Sequence, residues 1–225
     1  MVSALSSVKE NLEKISALVS KNAAEPNQVK ILAVTKFQPL EKVQEAIEAG
    51  ISYLGVNYAQ EGEKLRQQIG SPQVIWHFIG HIQSRKAKLL LPYHCIESVD
   101  RVEIVEELDK RASNNQKSVK ILVEINIGRE PQKSGIAPEQ LDEFLSSIKK
   151  FKHIEVIGLM AMPPALVPEE RRPFFKQMKN LFDQRTASFP FEILSMGTSE
   201  DYCIALQEGA NLIRLGTALF GSRQH

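Results

Sequence analysis

The chain has 225 residues, of which 43% are hydrophobic and 24% charged, and its formal net charge is +1. This composition is ordinary for a globular protein, and the near-neutral charge gives no reason to expect nucleic acid or an anionic membrane as a partner. No apolar run approaches the roughly 20 residues that span a bilayer. Lys9, Glu10, Glu13 and Lys14 interrupt the segment where a signal peptide would be apolar. We therefore expect a cytoplasmic protein.

Regular elements are predicted along the whole chain. Apolar residues recur at helical spacing between Leu5 and Val19, which predicts an amphipathic N-terminal helix. Eight short, apolar and often β-branched segments follow, as expected of parallel strands buried on both faces. These strand candidates are 30–35, 52–56, 74–79, 94–99, 119–125, 154–160, 192–196 and 211–215. Helix candidates lie between them at 40–49, 58–69, 83–91, 100–114, 138–150, 168–187 and 199–208.

Alternation of eight strands with helices predicts βαβ units and a parallel sheet. Eight units that close on themselves form a (β/α)8 barrel of the TIM type, and an open doubly wound sheet is the alternative. No linker or change of composition marks a second domain, so residues 1–225 are predicted to form one domain. The loops 126–137 and 163–168 are long, and both lie on the face where barrels carry their functional residues.

The carboxyl ends of the predicted strands converge on one mouth of such a barrel. Lys36 follows the first strand and is either a solvated lysine or a desolvated amine that attacks a carbonyl carbon. Gly216 and Thr217 are either an ordinary helix start, with Thr217 as the N-cap, or a phosphate site made of backbone N–H groups. Together they suggest a Schiff-base lysine facing a phosphate cup. The residues predicted at the mouth are Lys36, Asn57, His81, Asp100, Asn126, Met160, Ser199, Gly216 and Thr217.

Two further polar features have competing interpretations. Thr198 and Asp201 fit a capping box for the helix at 199–208, although the hydroxyl of Ser199 can still donate to an anion. Arg214 lies in an otherwise apolar strand and therefore needs either a structural carboxylate partner or a ligand.

A metal site and a disulfide are both disfavoured. His77 and His81 are spaced as HxxxH, but they lie in a predicted strand without a third ligand. Cys95 and Cys203 have no CxxC partner and lie in apolar segments, so they are expected to be buried free thiols.

Several short stretches together resemble the pyridoxal-phosphate homeostasis protein family. They begin with AVTK at 33–36, GVNYAQE at 55–61, WHFIGHIQ at 76–83 and SVD at 98–100. They continue with KSG at 133–135, GLM at 158–160, LSMG at 194–197 and IRLGTALFG at 213–221. Most of these motifs are weak singly, but their order from about residue 30 to the end is specific.

The resemblance implies a barrel similar to the barrel domain of bacterial alanine racemase, which binds pyridoxal 5′-phosphate (PLP). It implies that Lys36 forms an internal aldimine with PLP and that Arg214 faces the pyridine nitrogen. The remaining residues implied for the cofactor are Ser199, Gly216 and Thr217 at the phosphate and Asn57 beside the ring.

Three residues depart from the pattern of this family. Val56 stands where glutamate is usual, Arg85 where asparagine is usual, and Thr198 where methionine is usual. None of them removes an implied cofactor contact, but Val56 and Arg85 leave the polar surroundings of Asn57 open.

The resemblance also implies a role in balancing vitamin B6 and amino-acid pools without an enzymatic reaction. An arginine at the ring nitrogen disfavours a protonated pyridine, because two positive charges would meet, and an unprotonated ring is a weaker electron sink. The related racemase also uses a tyrosine base from a second domain, which is not expected here. A non-catalytic carrier is therefore predicted, with a PLP-dependent racemase or a Schiff-base aldolase as alternatives. PLP-dependent apo-enzymes or amino acids are the expected partners, and the protein is expected to be a monomer.

Overall fold

The computed structural model describes residues 7–222, which form a closed barrel of eight parallel strands in sequential order. The last strand pairs with the first through Lys30–Leu212 to Ala33–Leu215, so the sheet has no free edge. The predicted (β/α)8 barrel is confirmed, and the open doubly wound alternative is wrong. The strands are β1 (Lys30–Val34), β2 (Tyr53–Val56), β3 (Ile75–Phe78), β4 (Cys95–Val99), β5 (Val119–Ile125), β6 (Ile154–Ala161), β7 (Ile193–Thr198) and β8 (Leu212–Leu215).

Helices connect the strands and cover the outside of the barrel. No helix within residues 7–222 is long and apolar enough to cross a membrane. The α-helices are α1 (Val8–Asn22), α2 (Leu40–Glu48), α3 (Ala59–Ile69), α4 (Val102–Asn114), α5 (Leu141–Ile148), α6 (Arg172–Asp183), α7 (Tyr202–Gln207) and α8 (Thr217–Phe220). Short 3-10 helices form at Pro26–Gln28, Ser84–Leu89, Pro138–Gln140 and Pro168–Arg171.

Some predicted elements differ from the structure in type or extent. The segment 83–91 forms the 3-10 helix Ser84–Leu89 rather than an α-helix. The helices predicted at 138–150 and 168–187 each begin with a proline-headed 3-10 turn, because proline presets φ and supplies no N–H group. Met160, predicted at the mouth, is 3% exposed and lies one residue before the end of β6. The strands otherwise agree with the prediction to within two residues at each end.

The predicted N-terminal helix is confirmed as α1, although Leu5 lies outside the described residues. It begins with a capping box, in which Ser7 Oγ accepts from the Glu10 N–H at 3.2 Å and a Glu10 carboxylate oxygen accepts from the Ser7 N–H at 3.3 Å. Its apolar face is buried at Val8, Ile15 and Val19 and packs against α2, α7 and α8. This helix therefore joins the first and last units of the barrel.

The apolar core has two parts, as a closed barrel requires. The larger part joins the helices to the outward faces of the strands. The smaller part consists of strand residues alone and fills the inside of the barrel. Its buried members are Leu32, Cys95, Leu122, Ile157, Met160, Ile193 and Leu212. The strands also carry buried polar side chains, among them His77, Glu97, Ser195 and Arg214.

Candidate functional site

A cavity of about 560 Å³ opens at the carboxyl ends of the strands, the face where barrels carry their functional sites. A larger cavity of about 870 Å³ lies at the amino ends, beside Lys30, Tyr53 and Asn211. We consider the mouth cavity the candidate site, because polar side chains from several strand ends converge there. Five of the six residues predicted to bind a cofactor line it: Asn57, Ser199, Arg214, Gly216 and Thr217.

The sixth predicted residue, Lys36, lies in the turn after β1 and is not among the residues that line the cavity. Its Nζ lies 5.0 Å from the ring centroid of Phe37 and 5.4 Å from that of Tyr58. Phe37 has a φ of 61°, which is rare for a residue other than glycine, and its side chain is 61% exposed. The turn after β1 therefore holds the amine against two aromatic rings, which attract a cation through their π faces.

Asn57 presents an unpaired polar atom. Its Oδ1 is buried and has no hydrogen-bond partner among residues 7–222. Leaving a buried acceptor unpaired costs about 1–3 kcal/mol. Gly80 packs closely against the backbone of Asn57, because a Cβ at position 80 would lie only 1.8 Å from the Asn57 backbone carbonyl oxygen. Asn57 thus lines the cavity with a side-chain Oδ1 whose capacity to accept a hydrogen bond is unused.

The predicted phosphate cup lies where β7 and β8 end. Ser199 Oγ accepts hydrogen bonds from the N–H groups of Gly216 and Ala218, each at 3.1 Å. These bonds leave the hydroxyl hydrogen of Ser199 free to donate to an anion. Beside Gly216 the space is open, because a Cβ there would meet only Val34 Cβ at 3.9 Å. The predicted N-cap at Thr217 is wrong, because α8 begins there and Gly216 is its N-cap.

The predicted capping box at Thr198 is also wrong, because α7 begins only at Tyr202 and Asp201 is its N-cap. The Asp201 carboxylate instead closes the preceding turn by accepting from Thr198 N at 2.6 Å and from Thr198 Oγ1 at 3.0 Å. Gly197 has a φ of 93°, and a Cβ there would lie 2.6 Å from Ala205 Cβ. Glycine at this position lets α7 fold tightly against the end of β7.

A chain of buried polar side chains crosses the inside of the barrel and ends at Arg214. His77 Nδ1 lies 2.6 Å from one carboxylate oxygen of Glu97, and Ser195 Oγ donates to the other at 2.6 Å. Arg214 donates from Nη1 to Ser195 Oγ at 2.5 Å and from Nη2 to the Ala161 carbonyl at 2.9 Å. Glu97 is fully buried and lies 3.8 Å from Arg214 Nη1. The interpretation of Arg214 as one partner of a structural ion pair is confirmed. Arg214 also lines the cavity, and its contact with a ligand stays a prediction.

The carboxylate of Glu97 is negatively charged in these surroundings. Burial alone would raise its pKa, but the hydrogen bond and charge of His77, the charge of Arg214 and the Ser195 hydroxyl outweigh burial and lower the pKa. Burial lowers the pKa of Arg214, although nearby carboxylates oppose this shift. A guanidinium still remains charged at neutral pH.

Glu124, on β5, differs from Glu97 in its titration. Burial, reinforced by the charge of Asp100, raises the pKa of Glu124 to about 7, although the charge of Arg214 opposes this. Its carboxyl group can therefore be protonated near neutral pH.

Several residues in and around the candidate site were not predicted from the sequence. Glu97 is a lone carboxylate in one apolar strand, and Arg214 is a lone arginine in another. Two isolated, opposite charges in buried strands could have predicted that these residues interact. Lys133 and Arg171 also line the cavity, but Lys133 comes from the loop 126–137 and Arg171 ends the 3-10 helix Pro168–Arg171, so neither position follows the period of a strand or an α-helix.

Other predicted residues have ordinary roles. His77 contacts Glu97, whereas His81 Nδ1 lies 3.3 Å from Ser134 Oγ, so the two imidazoles have separate partners. In the described part of the chain, no group of three or more His, Cys, Asp or Glu side chains could hold a metal ion. Cys95 and Cys203 are free thiols, as predicted, but only Cys95 is buried and Cys203 is half-buried.

Two of the departures from the family pattern, Val56 and Arg85, do not line the cavity. Val56 is buried, with its Cγ1 towards Gly62 of α3, and Arg85 is exposed.

The barrel and its mouth define the class of the protein. Residues 4–224 match the alanine racemase N-terminal domain family. In fold the chain is similar to the alanine racemase of Clostridium difficile 630, with a TM-score of 0.74 at 18% identity, over 97% of this chain and 57% of that one.

Closer relatives narrow the class. The chain is 36% identical over 218 residues to the pyridoxal phosphate homeostasis protein of Aquifex aeolicus, covering 95% of this chain and 96% of the relative. It is similar to PipY of Synechococcus elongatus PCC7942, solved with PLP bound, with a TM-score of 0.85 at 30% identity over 95% of this chain and all of PipY. The chain belongs to the pyridoxal phosphate homeostasis protein family.

Proposed function

We propose that this protein binds PLP at the barrel mouth and acts in vitamin B6 and amino-acid homeostasis as a carrier or regulator without catalysing a reaction. The observation that carries the proposal is the convergence of Asn57, Ser199, Arg214, Gly216 and Thr217 on one cavity. The PLP-bound structure of PipY supports the same ligand. The first test is the visible absorption spectrum of the protein with PLP, because a lysine-bound cofactor is yellow and a Schiff-base aldolase without it is colourless.

The residues present fit PLP. The unpaired Oδ1 of Asn57 and the open space beside Gly216 provide contacts that no protein group uses. Ser199 and the start of α8 would hold the phosphate, Arg214 would face the pyridine nitrogen, and Lys36 would supply the amine. When bound, the cofactor supplies an electrophilic aldehyde carbon and an electron-withdrawing ring. Lys36 must leave its position against Phe37 and Tyr58 to reach the cavity, which a change of side-chain rotamers permits.

We expect the phosphate to provide much of the binding energy. Pyridoxal, which lacks the phosphate, is expected to bind at least about tenfold more weakly than PLP, because it loses charge-assisted hydrogen bonds at the cup, worth about 1.5–3 kcal/mol each. Parallel titrations of the two compounds, followed by absorbance, measure the difference. Equal affinities would show that Ser199, Gly216 and Thr217 do not form a phosphate site.

The absence of catalysis is proposed from Arg214. Its charged guanidinium at the ring nitrogen keeps the pyridine unprotonated and thereby weakens the withdrawal of electrons from the substrate. With PLP and single amino acids in D2O, the Cα proton is expected to exchange far more slowly than an enzyme turns over, for which about 10 per second is typical. Proton NMR measures the exchange. A rate near that value, with racemisation seen by chiral analysis, would instead support the racemase alternative.

A further inference from the structure

Two carboxylates stand beside the predicted phosphate cup. Glu200 and Asp201 follow Ser199 directly, and all three line the mouth cavity. The Asp201 side chain is only 1% exposed, whereas that of Glu200 is 72% exposed. Negative charges close to a bound phosphate repel it, and the repulsion is strongest where water is excluded. The cup can therefore hold an anion well only if a positive charge offsets these carboxylates.

Arg171 provides that charge. It ends the 3-10 helix in the loop after β6, lines the same cavity, and has a side chain that is 11% exposed. Its Nη1 donates to Asp201 Oδ2 at 2.8 Å, and its Nη2 donates to Glu200 Oε2 at 3.0 Å. Its Nε donates to the Leu166 carbonyl at 2.7 Å. Three directed bonds thus fix the guanidinium between the carboxylates.

The other cations of the cavity wall have carboxylate partners of their own. Arg214 lies 3.8 Å from Glu97, and Lys133 forms an ion pair with Glu130. Neither of these pairs involves Glu200 or Asp201. Among the described residues that line the cavity, Arg171 is the cation that pairs with both carboxylates at the cup.

We propose that Arg171 determines the selectivity of the cavity for a phosphorylated ligand, by offsetting the charges of Glu200 and Asp201 beside the cup. This inference rests on the proposed function, which makes PLP the phosphate ester in question. The residue acts through electrostatics and through the turn that it holds, so its removal affects the phosphate end of the ligand and spares the ring end.

The measurement is the ratio of the dissociation constants of pyridoxal and PLP, determined by absorbance titration at low ionic strength. Arg171→Gln keeps a long polar side chain but removes the charge, and it is expected to lower the ratio about tenfold. PLP binding weakens in this variant, whereas pyridoxal binding changes little. Arg171→Lys keeps the charge and is expected to retain most of the selectivity.

Arg172→Gln is the matched control. Arg172 is the next residue, and its ion pairs are with Glu169 and Glu208, away from the cavity wall. Its substitution is expected to leave the ratio unchanged, so a fall in both variants would indicate a general loss of structure and overturn the assignment to Arg171.

The outcomes separate the two proposals. An unsubstituted protein that binds neither compound contradicts the proposed function and this inference with it. An unsubstituted protein that prefers PLP, with the same preference in Arg171→Gln, overturns the inference alone. If Arg171→Gln does not fold, Glu200→Gln replaces it, because Glu200 is largely exposed. That variant is expected to raise the ratio, and an unchanged ratio overturns the role of charge at the cup.

Discussion

The variant Lys36→Ala is expected to lose the visible absorption band that PLP gives with the unsubstituted protein. Lys36 lies two residues after the end of β1, and its amine packs against the rings of Phe37 and Tyr58. Because alanine has no amine, the aldehyde carbon loses its covalent attachment and only contacts at the phosphate and ring remain. The expected result is complete loss of the band, measured by absorbance after removal of free PLP.

A second lysine provides the sharpest challenge to this assignment. Lys133 also lines the cavity, where its Nζ donates to the Pro163 carbonyl at 2.9 Å. Reduction of the PLP-loaded protein with borohydride, followed by peptide mapping, identifies the modified lysine. We expect the label on Lys36, and a label on Lys133 would show that the assignment is wrong. Lys64→Ala, which removes an exposed lysine of α3, is the control that should keep the full band.

The variant Glu97→Gln is expected to lose about 3–5 kcal/mol of the free energy of unfolding, the usual cost of removing one partner of a buried ion pair. Glu97 is fully buried and interacts with His77, Ser195 and Arg214. A neutral amide leaves the Arg214 guanidinium without its counter-charge inside the barrel. Urea unfolding at pH 7 measures the change. Glu155→Gln, at an exposed position on β6, is expected to change stability by less than about 0.5 kcal/mol.

The free energy of unfolding that Glu97→Gln loses should depend on pH in a defined direction. The pKa of Glu97 is lowered in the folded protein, so its charge contributes fully to stability above the unfolded pKa of about 4.3. This contribution disappears as the pH falls through the folded pKa. The difference in stability between the unsubstituted protein and Glu97→Gln should therefore be largest near neutral pH and shrink in acid. A difference that is constant down to low pH would show that the charge of Glu97 is not the cause.

The barrel was predictable because its signals are local and repeated. Strands buried on both faces are continuous apolar segments, and proline and glycine mark the helices between them. The structure therefore differs from the prediction only at the ends of elements and in the 3-10 segments. Segment 83–91 was assigned the wrong helix type, because over so few residues the spacing of apolar side chains does not distinguish an α-helix from the observed 3-10 helix Ser84–Leu89. The assignment of residues 1–225 to one domain and the monomeric state both stay predictions.

Only those residues of the candidate site whose location follows from backbone position were predictable. Asn57, Ser199, Arg214, Gly216 and Thr217 converge because each lies at or near the carboxyl end of a strand. The position of the Lys36 amine depends on side-chain torsions, and the partnership of Arg171 depends on the course of a loop. The pairing of Glu97 with Arg214 joins β4 to β8 across the inside of the barrel, and no periodicity within either strand encodes it.

The buried chain from His77 to Arg214 also constrains how this sequence can change. Its four side chains come from β3, β4, β7 and β8, and each interacts with the next. A substitution at one position changes the contribution of the other three side chains to the free energy of unfolding. The effect of a double substitution on stability is therefore not the sum of the two single effects. Substitutions that preserve the fold are therefore expected to occur in compatible combinations. During evolution these four positions should change together rather than independently.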